Sequence, residues 1–141
     1  MTNTKQIVYG PPISDKCPSI GSVLHACCHV CGIEQAELID GNRRPRTVLC
    51  RALFAYCGRT MTHASPRELA ERIFGEQRVG EDQRGRTRMT EISIRVHRNL
   101  DMPAVAFVGA WRVCRIQPED AFKTLRQFVD EIREILGESM R

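Results

Sequence analysis

The chain has 141 residues, 42% hydrophobic and 27% charged, with a formal charge of +4. These values suit one globular domain with or without an appendage. No apolar run approaches the ~20 residues of a membrane span, and Met1–Pro12 holds Lys5 but no apolar block of signal-peptide length, so the expectation is a cytoplasmic protein without a leader.

Taken in chain order, residues 1–17 read as an N-terminal arm, extended around Gly10-Pro11-Pro12. A helix is expected from about Pro18 to Cys31, with Ile20, Val23, Leu24, Cys27, Cys28 and Cys31 at helical spacing and Gly32 as its C-cap. Residues 33–39 read as a short helical turn stopped at Asp40-Gly41-Asn42. The basic loop Arg43-Arg44-Pro45-Arg46 follows, kept out of helix geometry on its N-terminal side by Pro45. The next helix, about Arg46–Arg59, carries Val48, Leu49, Ala52, Leu53, Ala55 and Tyr56 as its apolar face, and Gly58 weakens its end.

Ser65-Pro66-Arg67-Glu68 spells a helix start: Ser65 as cap, Pro66 at the first helical position, Glu68 closing a capping box. That helix runs to Phe74, buries Leu69, Ile73 and Phe74, and stops at Gly75. Residues 75–86 are polar and glycine-rich and read as a loop. A helix from near Thr87 to Leu100 sets Met89, Ile92, Val96 and Leu100 on one stripe, with Arg88, Glu91, Arg95 and Arg98 outward; Asp101-Met102-Pro103 ends it. Ala104–Ile116 fits a buried helix or a strand, its length favouring helix. Pro118–Leu136 is an amphipathic helix lined by Phe122, Leu125, Phe128, Val129, Ile132, Ile135 and Leu136. The expected fold is all-α: an arm over 1–17, a helical domain over 18–102 and a C-terminal helical extension over 103–141.

Charge is unevenly placed. Residues 41–100 hold thirteen arginines, no lysine and six acids, while both flanking segments are slightly acidic. Arginine's planar fork of donors matches phosphate and the guanine edge, whereas a solvated cationic face is the plainer explanation. The seven cysteines form no even framework and read as reduced thiols. Cys27, Cys28 and Cys31 beside His25 and His29 invite a zinc site, but no second ligand pair completes it; small buried apolar residues are the simpler expectation, and no metal or cofactor is assigned.

The order of elements is informative. A basic loop precedes a long helix, a short capped helix follows, and the next helix opens with Arg86-Thr87-Arg88-Met89-Thr90. A scaffold helix before a helix with polar and basic residues at its N-terminus is how a helix-turn-helix offers a reader to the major groove. The reader's free N–H groups favour phosphate, its side chains reach base edges, and an arginine from the preceding loop suits a narrow minor groove.

Residues from about Ser19 to Leu100 resemble the C-terminal DNA-binding domain (domain IV) of the bacterial replication initiator DnaA, a helix-turn-helix of the Trp repressor-like superfamily. The likeness is carried by Cys31–Ile39, the basic loop Arg43–Arg46, the helix around Arg51, Ser65–Ala70 and the reader opening Gly85–Thr90. It implies that Arg44 enters the minor groove and that Thr87, Arg88, Met89 and Thr90 face bases in the major groove. It further implies phosphate contacts from Arg51, Arg59, Pro66 and Arg67, to which the basic character of Arg43, Arg46 and Arg86 adds. The family's Asp-His pair is replaced by Thr87-Arg88, its first Thr by Met89, and Glu76–Arg84 lengthens the turn. Arginine reads guanine where Asp accepts from cytosine, so a different target sequence is expected. No Gly-x-x-x-x-Gly-Lys-Thr phosphate loop occurs, so the expected role is not that of the initiator itself.

The function expected is double-stranded DNA binding in replication or transcription control, fitting a bacteriophage or mobile-element protein. The alternative is an interaction or inhibitor module that keeps the fold and binds a replication or transcription protein instead. The 118–136 helix is a candidate homodimer stripe. An enzyme is not expected, because His63 and His97 have no nucleophile and orienting acid at matching spacing.

Overall fold

The computed structural model describes residues 17–39, 44–74, 84–109, 120 and 122–139, with backbone alone for 74, 84–87 and 138–139. They form seven helices: α1 (Ile20–Cys31), α2 (Gln35–Ile39), α3 (Pro45–Met61), α4 (Pro66–Phe74), α5 (Arg84–Arg98), α6 (Ala104–Val108) and α7 (Leu125–Ser139). The architecture is all-α, and the one β-type pairing among the described residues is an isolated bridge between Pro103 and Thr124. None of these helices is long and apolar enough to cross a membrane.

Helix α3 is the axis of the fold, and every other helix packs against it. Leu49, Cys50, Ala52, Leu53, Phe54, Ala55, Tyr56 and Cys57 are all buried, so it is apolar almost all round, the pattern of an enclosed helix. Pro45 opens it, with Arg44 as the extended N-cap residue. Gly58, expected to weaken the end, lies inside the helix. A Cβ there would lie 2.5 Å from Leu69 Cδ2, so the missing side chain lets α4 approach closely.

Helix α1 starts two residues later than expected, because Ser19 accepts from the Ser22 amide as its N-cap. It ends where expected. Gly32 sits at φ 68°, its N–H bonding His29 O, while Ile33 N–H bonds Cys28 O, a Schellman-type closure. The inner face of α1 buries Val23, Leu24, Ala26, Cys27, Cys28 and Cys31. The outer face carries His25 and His29, stacked on each other at 6.5 Å. Cysteines and histidines thus part to opposite faces, and no group of three or more His, Cys, Asp or Glu among the described residues is arranged to hold a metal.

The C-terminal segment departs most from expectation. Of Ala104–Ile116, Ala104–Val108 is helix, ended by Gly109 at φ 74°; residues 110–116 lie outside the described residues. Helix α7 begins at Leu125, not Pro118. Thr124 and Gln127 form a reciprocal capping box, Gln127 N–H to Thr124 Oγ1 at 3.2 Å and Thr124 N–H to Gln127 Oε1 at 2.8 Å. Phe122, expected on the apolar face, precedes this cap and is 74% exposed. Leu125, Phe128, Val129, Ile132 and Leu136 join the main core, and α7 packs on α1 and α3. The stripe considered for a homodimer is therefore covered by its own chain. Backbone bonds from Ala104 N–H to Lys123 O and from Leu125 N–H to Met102 O tie its start to the segment after α5.

Candidate nucleic-acid interface

The pair α4–α5 is where the sequence places scaffold and reader. The α4 capping box forms as expected: Glu68 N–H donates to Ser65 Oγ at 3.2 Å, and Ser65 N–H to Glu68 Oε1 at 3.1 Å. Leu69, Ala70 and Ile73 are fully buried, leaving Arg67, Glu68 and Arg72 exposed. Arg67 pairs with Glu71 across 2.9 Å on the surface, a contact of small energetic weight. Pro66 occupies the first helical position and, as a proline, has no N–H to give a phosphate.

Helix α5 begins at Arg84, three residues before the expected Thr87, so Gly85-Arg86-Thr87 are part of its first turn. The side chains of Arg86 and Thr87 lie outside the described residues, as does the whole of Arg43. Beyond them the helix is two-faced. Met89, Ser93 and Val96 are buried against α3 and α4, with Ile92 and Leu100 half-buried beside them. Arg88, Glu91, Ile94, Arg95 and Arg98 stand on the opposite stripe, all exposed. From Arg88 to Arg98 the stripe runs about 15 Å along the axis.

Met89 is corrected as a base reader. It is 0% exposed, one of the largest fully buried side chains, and cannot meet a thymine methyl. Thr90 is half-buried, and of the described reader residues Arg88 alone is exposed.

The arginines divide rather than converge. Arg46 Nη1 donates to Cys31 O at 2.9 Å, and Arg51 donates from Nη2 and Nε to Leu38 O at 2.8 and 3.2 Å. Both acceptors are carbonyls at the ends of α1 and α2, which the helix geometry leaves unbonded. These two guanidinium groups, expected on phosphate, are clamps of the fold, with donors committed to backbone carbonyls. Arg59 is half-buried near the far end of α3, with its Nε enclosed. Arg44 is exposed at the N-terminal end of α3, where the helix dipole adds positive potential. Among the described residues the exposed arginines are Arg44 at the start of α3, Arg67 and Arg72 on α4, Arg88, Arg95 and Arg98 along α5, and Arg126 and Arg133 on α7.

The end of α5 is pinned by aromatic contacts. His97 stacks on Tyr56 of α3 at 6.2 Å, and the Arg95 guanidinium lies 5.0 Å above the Phe107 ring of α6. Burial pushes the Tyr56 hydroxyl above its usual range, against the opposing influence of Arg133. His63 also has a neighbour that its sequence context hid: Cys17 Sγ lies 3.1 Å from its Nε2, brought there across 46 residues by the fold.

Sequence reasoning missed the two arginine clamps. One signal for them existed: Arg46 and Arg51 open a helix directly after two short-linked helix C-termini, where carbonyls need donors. No family model, curated protein or solved structure matches the chain.

Proposed function

We propose that this chain is a cytoplasmic double-stranded-DNA-binding protein, related to domain IV of the replication initiator, in which α4 is the scaffold of a helix-turn-helix and α5 the reader. One observation supports it above the others: a helix sealed on one face holds Arg88, Arg95 and Arg98 in solvent on the other, with Glu91 the single acid among them. An exposed arginine stripe on a rigidly seated helix is what groove insertion requires. Arg88, nearest the N-terminus of α5, reads a base edge. Arg44 enters the minor groove, Arg67, Arg95 and Arg98 neutralise phosphate, and the process served is replication or transcription control.

Selection from a random duplex library, followed by gel shift of the enriched and scrambled duplexes at several salt concentrations, tests the reading. The expected result is enrichment of a guanine-containing site, with log affinity falling steeply against log salt. A second reading, a protein-binding module that keeps the fold, draws on Ile94, which is 42% exposed in the middle of the stripe. No shift of any duplex at physiological salt would sink the first reading and leave the second.

A further inference from the structure

The interface of α1 and α3 gathers five buried cysteines, Cys27, Cys28 and Cys31 from one helix and Cys50 and Cys57 from the other. The DNA-binding reading uses none of them. Cys50 Sγ lies 4.0 Å from Cys28 Sγ, across 22 residues of chain. We propose that Cys28 and Cys50 are a built-in oxidation site, which a hydroperoxide converts to an intramolecular disulfide joining α1 to α3.

Access and polarity assign the two sulfurs different roles. Cys28 is 5% exposed and Cys50 0%, so a small oxidant meets Cys28 first. The Cys50 thiol donates toward Cys28, and that bond draws the Cys28 thiol below its usual range against the effect of burial. Cys50 is pushed up by its bonds to Cys28 and Cys31 and by burial, so it stays a thiol until it reacts. Thiolate character governs which cysteine attacks peroxide. Cys27 and Cys57 also hydrogen-bond each other, but both are fully enclosed and out of an oxidant's reach.

The chemistry balances. The Cys28 thiolate attacks the peroxide oxygen; an S–O bond forms, the O–O bond breaks, and the leaving alkoxide or hydroxide takes up the proton that Cys28 released. The Cys50 sulfur then attacks the Cys28 sulfenic acid. The S–S bond forms, the S–O bond breaks, and hydroxide leaves as water with the Cys50 proton. Two thiols lose two electrons, and the peroxide is reduced to water and an alcohol, or to two waters. The sulfurs close from 4.0 Å to a bond of about 2.05 Å.

Tryptic mapping of the native full-length chain reads the outcome. The reduced protein is titrated with hydrogen peroxide, remaining thiols are alkylated, and digestion proceeds without reductant. Trypsin isolates Cys50 in Thr47–Arg51 and Cys57 in Ala52–Arg59, with Cys28 in Cys17–Arg43. The expected product joins Thr47–Arg51 to Cys17–Arg43, with fragment ions placing the bond at Cys28, and the oxidised protein melts at a higher temperature. Cys28→Ser should lose the link and Cys31→Ser keep it. Linkage of Ala52–Arg59 instead, a bond at Cys31, or full alkylation of Thr47–Arg51 at every peroxide dose overturns the proposal. Fragment ions from the unsubstituted chain decide the case even where a serine variant fails to fold.

Discussion

Helices α3 and α5 carry the same cation in quantity and use it oppositely. On α3, Arg46 and Arg51 turn their guanidinium groups onto the carbonyl ends of α1 and α2. On α5, Arg88 and Arg98 extend into solvent and Arg95 lies exposed over the Phe107 ring, on a helix whose other side is closed by Met89 and Val96. The contrast teaches that an arginine-rich stretch is two populations. One completes hydrogen bonding that helix ends leave open, and the other is available to a ligand. Only the second can carry the salt-dependent affinity of a DNA-binding protein.

The sharpest way to break this comparison is Met89→Ala. As a core side chain its truncation should cost ~2–5 kcal/mol in urea unfolding. Unchanged stability together with altered sequence preference would return Met89 to the groove. Next in size, Arg51→Ala should destabilise the fold by ~1.5–3 kcal/mol, since it removes charged donors from a part-buried carbonyl. Arg51→Lys should not restore it, because two nitrogens of one fork meet the same oxygen. The protein that remains folded should keep its slope of log affinity against log salt.

Arg88→Ala should do the reverse: unaltered melting, and a loss of ~1–3 kcal/mol of discrimination between the selected site and scrambled duplex. Arg95→Ala and Arg98→Ala should each flatten the salt slope by ~0.9 without changing the preferred sequence. Equal loss on all duplexes for Arg88→Ala would make it one more phosphate contact. Ser65→Ala, removing half of the α4 capping box, should cost ~0.5–2 kcal/mol, read by thermal melting.

The smallest effect concerns Asp101, whose carboxyl is held below its usual range by the hydrogen bond from Arg126, 2.9 Å away, and by that residue's charge. A depressed folded-state pKa means that the pair's stabilisation is present above the unfolded value of ~3.9 and is lost as pH falls through the folded value. Asp101→Asn should therefore flatten the acid limb of a melting-temperature profile slightly and leave neutral stability almost unmoved.

Local signals were legible wherever chemistry is local. Gly32 as a C-cap, Ser65 with Glu68, and the apolar period of α5 were all readable because each concerns neighbours within a few residues. The Thr124–Gln127 box was equally local, yet the apolar run through Phe122 outweighed it and put the helix start seven residues early. What sequence could not supply was the partner across the fold. Nothing near Arg51 names Leu38 O, nothing near His63 names Cys17, and the 28–50 thiol contact depends on the rotation of α1 against α3. Within α5, periodicity correctly placed Met89 on the inner stripe. The family likeness assigned the same residue to the groove, and burial favours the periodicity.

The seating of α7 bears on how the chain acquires its structure during synthesis. α1 rests against α7, which is made roughly a hundred codons later, so the apolar side of α1 lacks part of its cover while the ribosome is still translating. The fold closes by bringing distant parts of the polypeptide together, and a nascent fragment ending near residue 102 would leave the part of α1 that α7 covers open to any holdase or protease that meets it.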